Sequence, residues 1–132
     1  MGLEKQNIKF HNYSFEKLEV WKNSINFAKI IYKITAKFPS DEKFGIVNQI
    51  RRATVSISSN IAEGSGKNSL KDQARFIEIA YGSLLETLNQ IILSYELSFI
   101  KYNEYCLLRE NIESIARQLN ALKKSQMKRL KE

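Results

Sequence analysis

The sequence predicts an all-α protein, an up-down-up-down antiparallel bundle of four helices, on three observations. Apolar residues recur every three or four positions through four long segments. Short breaks rich in Pro, Gly or capping residues separate those segments. No stretch alternates apolar and polar residues as a half-buried strand does. Connections this short set consecutive helices side by side and antiparallel. At 132 residues the chain makes one domain, read as an N-terminal arm over residues 1–13 and a single bundle over 14–132 with a basic helical end.

The first helix is expected from about Phe15 to Phe38, with Leu18, Trp21, Ile25, Ala28 and Tyr32 as its core stripe and Pro39 ending it. Ser40 as a cap, with Asp41 and Glu42 in the first turn, predicts a second helix running to about Glu63. Its stripe is Ile46, Ile50, Ala53, Ile57 and Ile61, and Gly64-Ser65-Gly66 stops it. Ser69 with Asp72 is a capping-box variant, opening a third helix that reaches Ser98. Beyond Lys101 to Asn103, residues Tyr105, Leu108, Ile112, Ile115, Leu119 and Leu122 fall in alternating steps of three and four, the seam of a fourth helix.

Helices one and two carry more apolar surface than a single bundle consumes. Val20, Phe27, Ile34 and Phe38 turn to the side of the first stripe, and Phe44, Val47, Val55 and Ala62 form a second stripe on helix two. Apolar surface of that extent marks an interface, so Phe44, Val47, Val55, Phe27 and Ile34 are expected between subunits of an oligomer; the alternative is packing against the N-terminal arm. Ser56, Ser58, Ser59, Gly82 and Ser83 are small enough to let helix backbones approach closely, or are simply low bulk on exposed turns.

Composition narrows the chemistry. Hydrophobic residues make up 43% and charged residues 27%, an ordinary globular balance. Cys106 is the one cysteine and His11 the one histidine, so neither an intrachain disulfide nor a His/Cys metal shell is expected. A Glu-x-x-His di-iron pattern cannot form with His11 outside the helices, and no helical Ser or Cys has a histidine base. Gly66-Lys67 resembles a phosphate loop, but Ile61 stands where that motif needs its first Gly and Asn68 where it needs Ser or Thr. A helix end and turn is the better reading. Glu63, Glu78 and Glu86 read as salt-bridge partners. The sequence therefore assigns no catalytic, cofactor-binding or metal-ligating residue and predicts a non-enzymatic protein. Charges at the N-terminus and the lack of a long apolar run point to a cytoplasmic protein without a membrane partner.

Basic residues are the remaining functional signal. Twenty-one Lys and Arg against fourteen Asp and Glu leave a formal charge of +7. The C-terminal stretch from Lys123 carries five cations, Lys123, Lys124, Lys128, Arg129 and Lys131, and reads either as a phosphate-binding tail or as a solvated helix end whose cations complement the helix dipole. Arg51 and Arg52 are candidates for phosphate contact or for ion pairs with Glu78 or Glu86, and Lys67 joins them as a candidate contact.

The run QIRRATVSISSNIAEGSGKNS, residues Gln49 to Ser69, with FEKLEVW near the start and FIEIAYGSLLET in helix three, resembles the four-helix bundle protein family that includes proteins encoded in 23S ribosomal RNA intervening sequences. The resemblance spans Phe15 to about Leu122. It implies a bacterial protein that assembles as a ring-like homopentamer, with the accessory protein of diversity-generating retroelements, which binds nucleic acid and a reverse transcriptase, as a relative. The matching residues are Arg51, Arg52, Ser56, Asn60, Glu63 and Gly64 on helix two, with Ser83 and Glu86 on helix three; the family assigns them no catalytic role. Together with the basic balance, this predicts an oligomer that binds RNA or DNA. The alternative is a protein-interaction scaffold or accessory subunit without nucleic-acid binding.

Overall fold

The computed structural model describes residues 8–131. Four α-helices make up the fold: α1 (Glu19–Thr35), α2 (Ile46–Ser65), α3 (Leu70–Glu96) and α4 (Tyr102–Lys131), with no strand among the described residues. Each helix packs on its neighbours in the chain, and α1 closes the ring against α4. Cross-helix contacts run in opposite chain order. Ser56 meets Ser83 and Gly64 meets Phe76 between α2 and α3. Glu78 meets Lys123 and Tyr95 stacks on Tyr105 between α3 and α4, while Asn23 meets Gln118 and Lys37 meets Glu104 between α1 and α4.

The fourth-helix seam buries Leu108, Ile112, Ile115 and Leu119, with Tyr105 and Leu122 packed at its ends, as its spacing predicts. Ser69 caps α3 by accepting from the Asp72 amide at 3.1 Å, again as predicted. Ile50, Ala53, Ile57 and Ile61 are the buried stripe of α2.

Other boundaries differ from expectation. Phe15 lies in a 3-10 turn, Ser14–Lys17, and extended backbone at Leu18 delays α1 to Glu19. Ser40 likewise opens only a short 3-10 turn, Ser40–Glu42, and makes no side-chain cap. Gly45 then leaves helical geometry (φ −105°, ψ −116°), so α2 starts at Ile46. Helix α3 stops at Glu96 because Ser98 adopts a left-handed conformation (φ 64°), which lets the Phe99 amide reach back to the Ser94 carbonyl at 2.9 Å.

The larger correction concerns which face of α1 points inward. Val20, Ser24, Phe27, Ile31, Ile34 and Thr35 are buried, continued by Phe38, whereas Ile25 and Tyr32 are exposed and Trp21 is half-buried. Phe27 and Ile34, expected at a subunit interface, are core residues, and so is Val47 on α2. The core face lies about one residue, or 100°, around the helix from the predicted stripe. Two hydroxyls disguise it: Ser24 donates to the Val20 carbonyl and Thr35 to the Ile31 carbonyl, each at 2.7 Å. Back-bonding satisfies a buried hydroxyl within its own helix, so a polar letter stands at a core position.

Helix α2 ends at Ser65 with Gly66 as its cap, within the predicted Gly64-Ser65-Gly66 stop, and Gly64 has a packing role inside its last turn. A Cβ there would lie 2.7 Å from the Phe76 Cβ of α3, closer than two carbons tolerate. Ser56, Asn60 and Gly64 recur every four residues along this seam, where α2 lies close to α3. Replacing Gly64 with Ala should therefore cost about 1–3 kcal/mol through overpacking. Urea unfolding checks this, with Gly82→Ala as the control, since a Cβ at Gly82 meets nothing within 4 Å. A neutral or stabilising Gly64→Ala would contradict the close approach.

Glu104, in the first turn of α4, ties that helix to the turn that follows α1. Its carboxylate accepts from Lys37 Nζ at 2.6 Å and from the Lys101 amide at 3.1 Å, which hold its pKa below the ordinary glutamate value. A depressed carboxylate pKa lends stability above the unfolded-state value, and that contribution is lost as pH falls through the lower folded value.

Candidate functional site

The family-type residues do not converge on one constellation; half of them, Ser56, Asn60, Gly64 and Ser83, fasten α2 to α3. Ser56 Oγ and Ser83 Oγ lie 2.9 Å apart across the seam, and Asn60 Nδ2 donates to Ser56 Oγ at 3.0 Å and to the Ser56 carbonyl at 2.8 Å. With Gly64 they set the helix spacing. Arg52 and Glu86 line an open cleft above this seam beside Gln49 and Ser56, and both are exposed, as is Glu63.

Arg51 has a different partner from the predicted carboxylates. Its Nε donates to Thr35 Oγ1 at 3.0 Å and a terminal nitrogen donates to the Tyr32 carbonyl at 3.2 Å. The guanidinium also lies over the Tyr32 ring, 4.5 Å from its centroid. Both acceptors belong to the last turn of α1, whose final residue is Thr35, so this arginine joins the end of α1 to α2. Glu78, one of the expected partners, instead meets Lys123 at 2.8 Å.

The candidate phosphate contacts fall into two groups. Arg51 and Arg52 lie in the first half of α2, and Arg52 is exposed beside Tyr32 and Val55. Lys67 is in the α2–α3 turn, its ammonium 5.0 Å from the Phe76 ring centroid, at the end of the bundle where α4 also finishes. There the first turns of α3 lie against the last turns of α4, so Lys71 and Arg75 sit beside Met127 and Leu130, and Arg129 faces Gly64, Ser65 and Gln73. Lys124, Lys128, Arg129 and Lys131 are exposed and form no ion pair among the described residues. Asp72 and Glu78 are the carboxylates beside Lys71 and Arg75. Lys71 and Arg75 do not stand out in the sequence. They become legible once antiparallel packing folds the start of helix three onto the end of helix four.

The chain is thus a four-helix protein whose small and polar residues lock α2 to α3 and which carries one group of cations, Lys67, Lys71, Arg75 and those of residues 124–131, where α4 finishes. The chain belongs to the 23S rRNA-intervening sequence protein family, whose model matches residues 16–121. Among solved structures it is similar to a protein of unknown function from the S23 ribosomal protein family of Bacteroides thetaiotaomicron VPI-5482. The two are 25% identical and align over 80% of this chain and 98% of that one, with a TM-score of 0.74. No curated protein matches the chain. No helix among the described residues is long and apolar enough to cross a membrane.

Proposed function

We propose that this protein is a non-enzymatic, homo-oligomeric, up-down-up-down four-helix bundle that binds RNA or DNA through phosphate contacts at the end where α4 finishes. The observation that carries this reading is the meeting of two chain-distant basic segments, 67–75 and 124–131, on one end of the fold. Sequence-independent binding requires cations placed to displace counterions, and no base-reading motif accompanies these. Arg52 adds a second, separate basic position. Fluorescence anisotropy of labelled RNA and DNA against salt is the test; binding at low salt that weakens steeply as salt rises supports the reading. If the intact protein binds neither polymer at low salt, the scaffold alternative replaces it.

Assembly rests on a different surface. Phe44 is 87% exposed, Tyr32 43% and Val55 42%, and Tyr32 and Val55 line one shallow groove with Arg51 between α1 and α2. Large apolar residues grouped in this way favour burial against another copy. We infer a homopentamer, the number following from the family resemblance. Assembly matters to binding because several weak basic ends on one ring engage a long polyanion together. Val55→Glu should reduce the oligomer to smaller species, since an unpaired carboxylate is costly to bury, while leaving helix content intact. Light scattering and circular dichroism check both halves. An unchanged oligomer would remove Val55 from the interface.

A further inference from the structure

We propose that the outer face of α3 is the surface that fills the α1–α2 groove of a second copy, so that chains join head to tail. This deepens the assembly reading above and rests on it. Five large aliphatic side chains on α3 and its cap residue, Ile79, Leu85, Ile92, Leu93 and Leu97, are each 38–49% exposed, as open as Val55 in the groove. At about 100° per residue they fall within roughly 140° of arc, on the side of α3 away from the residues it gives to the core. An open apolar face of that extent on one helix marks a contact surface.

Charge selects the occupant. Between Ile79 and Leu97 the only charged residues are Glu86 and Glu96. Both are exposed, lie on the same arc as the aliphatic residues and form no ion pair among the described residues. The groove has the opposite character. Tyr32 and Val55 supply its apolar surface, and the charged residues that line it are Arg51 and Arg52. Arg51 bonds only uncharged acceptors, and neither arginine forms an ion pair among the described residues. An apolar and acidic face on α3 therefore complements an apolar and basic groove on the same chain. The fold prevents a chain from filling its own groove. Helix α3 lies diagonally across the bundle from α1, both packing on α2 and α4, so the outer side of α3 points away from the α1–α2 groove. A surface and its complement on different faces of one chain make a heterologous contact, which repeats from copy to copy and closes as a ring or extends as a filament.

Two variants of the full chain and their mixture test the pairing by light scattering. Val55→Glu sets a carboxylate against the acidic face, and Leu93→Lys sets an ammonium against the arginines. Each alone should fall to monomer at a concentration where the unaltered protein is oligomeric, with helix content by circular dichroism unchanged. Mixed one to one, they should assemble again to at least twice the chain mass. The intact α3 face of the Val55→Glu chain then meets the intact groove of the Leu93→Lys chain. Should Leu93→Lys not fold, Leu85→Lys takes its place. Either variant assembling normally on its own, or a mixture of folded variants that stays monomeric, overturns the head-to-tail pairing while leaving an oligomer in place. A monomeric unaltered protein overturns the assembly reading itself and this pairing with it.

Discussion

Replacing Phe27 with Ala should remove about 3–5 kcal/mol of stability, the range for deleting a fully buried aromatic ring. Phe27 has no exposed surface and sits in the middle of the α1 core face, with Val20, Ile31 and Ile34 buried on the same side. The bundle cannot close the resulting void without moving α1, because the rest of the core is filled, Ile57 and Leu84 being likewise fully buried. A domain of this size holds about 5–15 kcal/mol in total, so the variant should unfold at far lower denaturant. Trp21→Ala is the comparison. Trp21 is half-buried and touches the rim aromatic Phe15, ring centroids 5.0 Å apart, so its loss should cost clearly less than that of Phe27. If Trp21→Ala proved the more damaging change, the core face of α1 would lie where Leu18 and Tyr32 point.

That comparison turns on what helical periodicity conveys. Along the α4 seam from Leu108 to Leu119 the predicted apolar stripe and the buried positions coincide, because that stripe is written wholly in Leu and Ile. In α1 the core positions Ser24 and Thr35 are polar letters, while Trp21, Ile25 and Tyr32 are large apolar residues on the flank, and the two substitutions together rotate the apparent face. Thr54, Thr87 and Ser94 follow the same rule elsewhere, each buried and each donating to the carbonyl four residues back. The Gly64-Ser65-Gly66 stop was legible, since α2 ends at Ser65, but the packing role of Gly64, which admits Phe76, was not, because it depends on a residue of another helix. The partners of Arg51 were not legible at all, since an acceptor carbonyl on another helix leaves no mark in the sequence.

Neutralising Lys124, Lys128, Arg129 and Lys131 to Gln should lower affinity for long RNA or DNA by about a hundredfold at low salt, as each cation contributes by releasing counterions from the phosphates it meets. Lys123 is omitted because Glu78 already holds it at 2.8 Å. Each lost phosphate contact should flatten the slope of log affinity against log salt by about 0.7 on single strands and 0.9 on duplex. The four side chains are exposed, so folding should be unaffected. Replacing Arg51 should act differently. Its bonds to Thr35 and the Tyr32 carbonyl anchor the end of α1, so Arg51→Ala should lower stability before it lowers binding; Arg52→Ala should spare stability, and because Arg52 lines the same groove as Tyr32 and Val55, light scattering separates its effect on binding from one on assembly. A four-cation variant with unchanged affinity and slope would place the contacts elsewhere on the surface.

The most direct measurement is a titration of the intact protein with a long RNA and a long DNA at low salt, with a short oligonucleotide of each as comparison and light scattering on the same samples. The expected result is an oligomer that binds the long polymers more tightly than the short ones and releases both as salt rises. A monomer, or an oligomer that binds neither polymer at low salt, would contradict it.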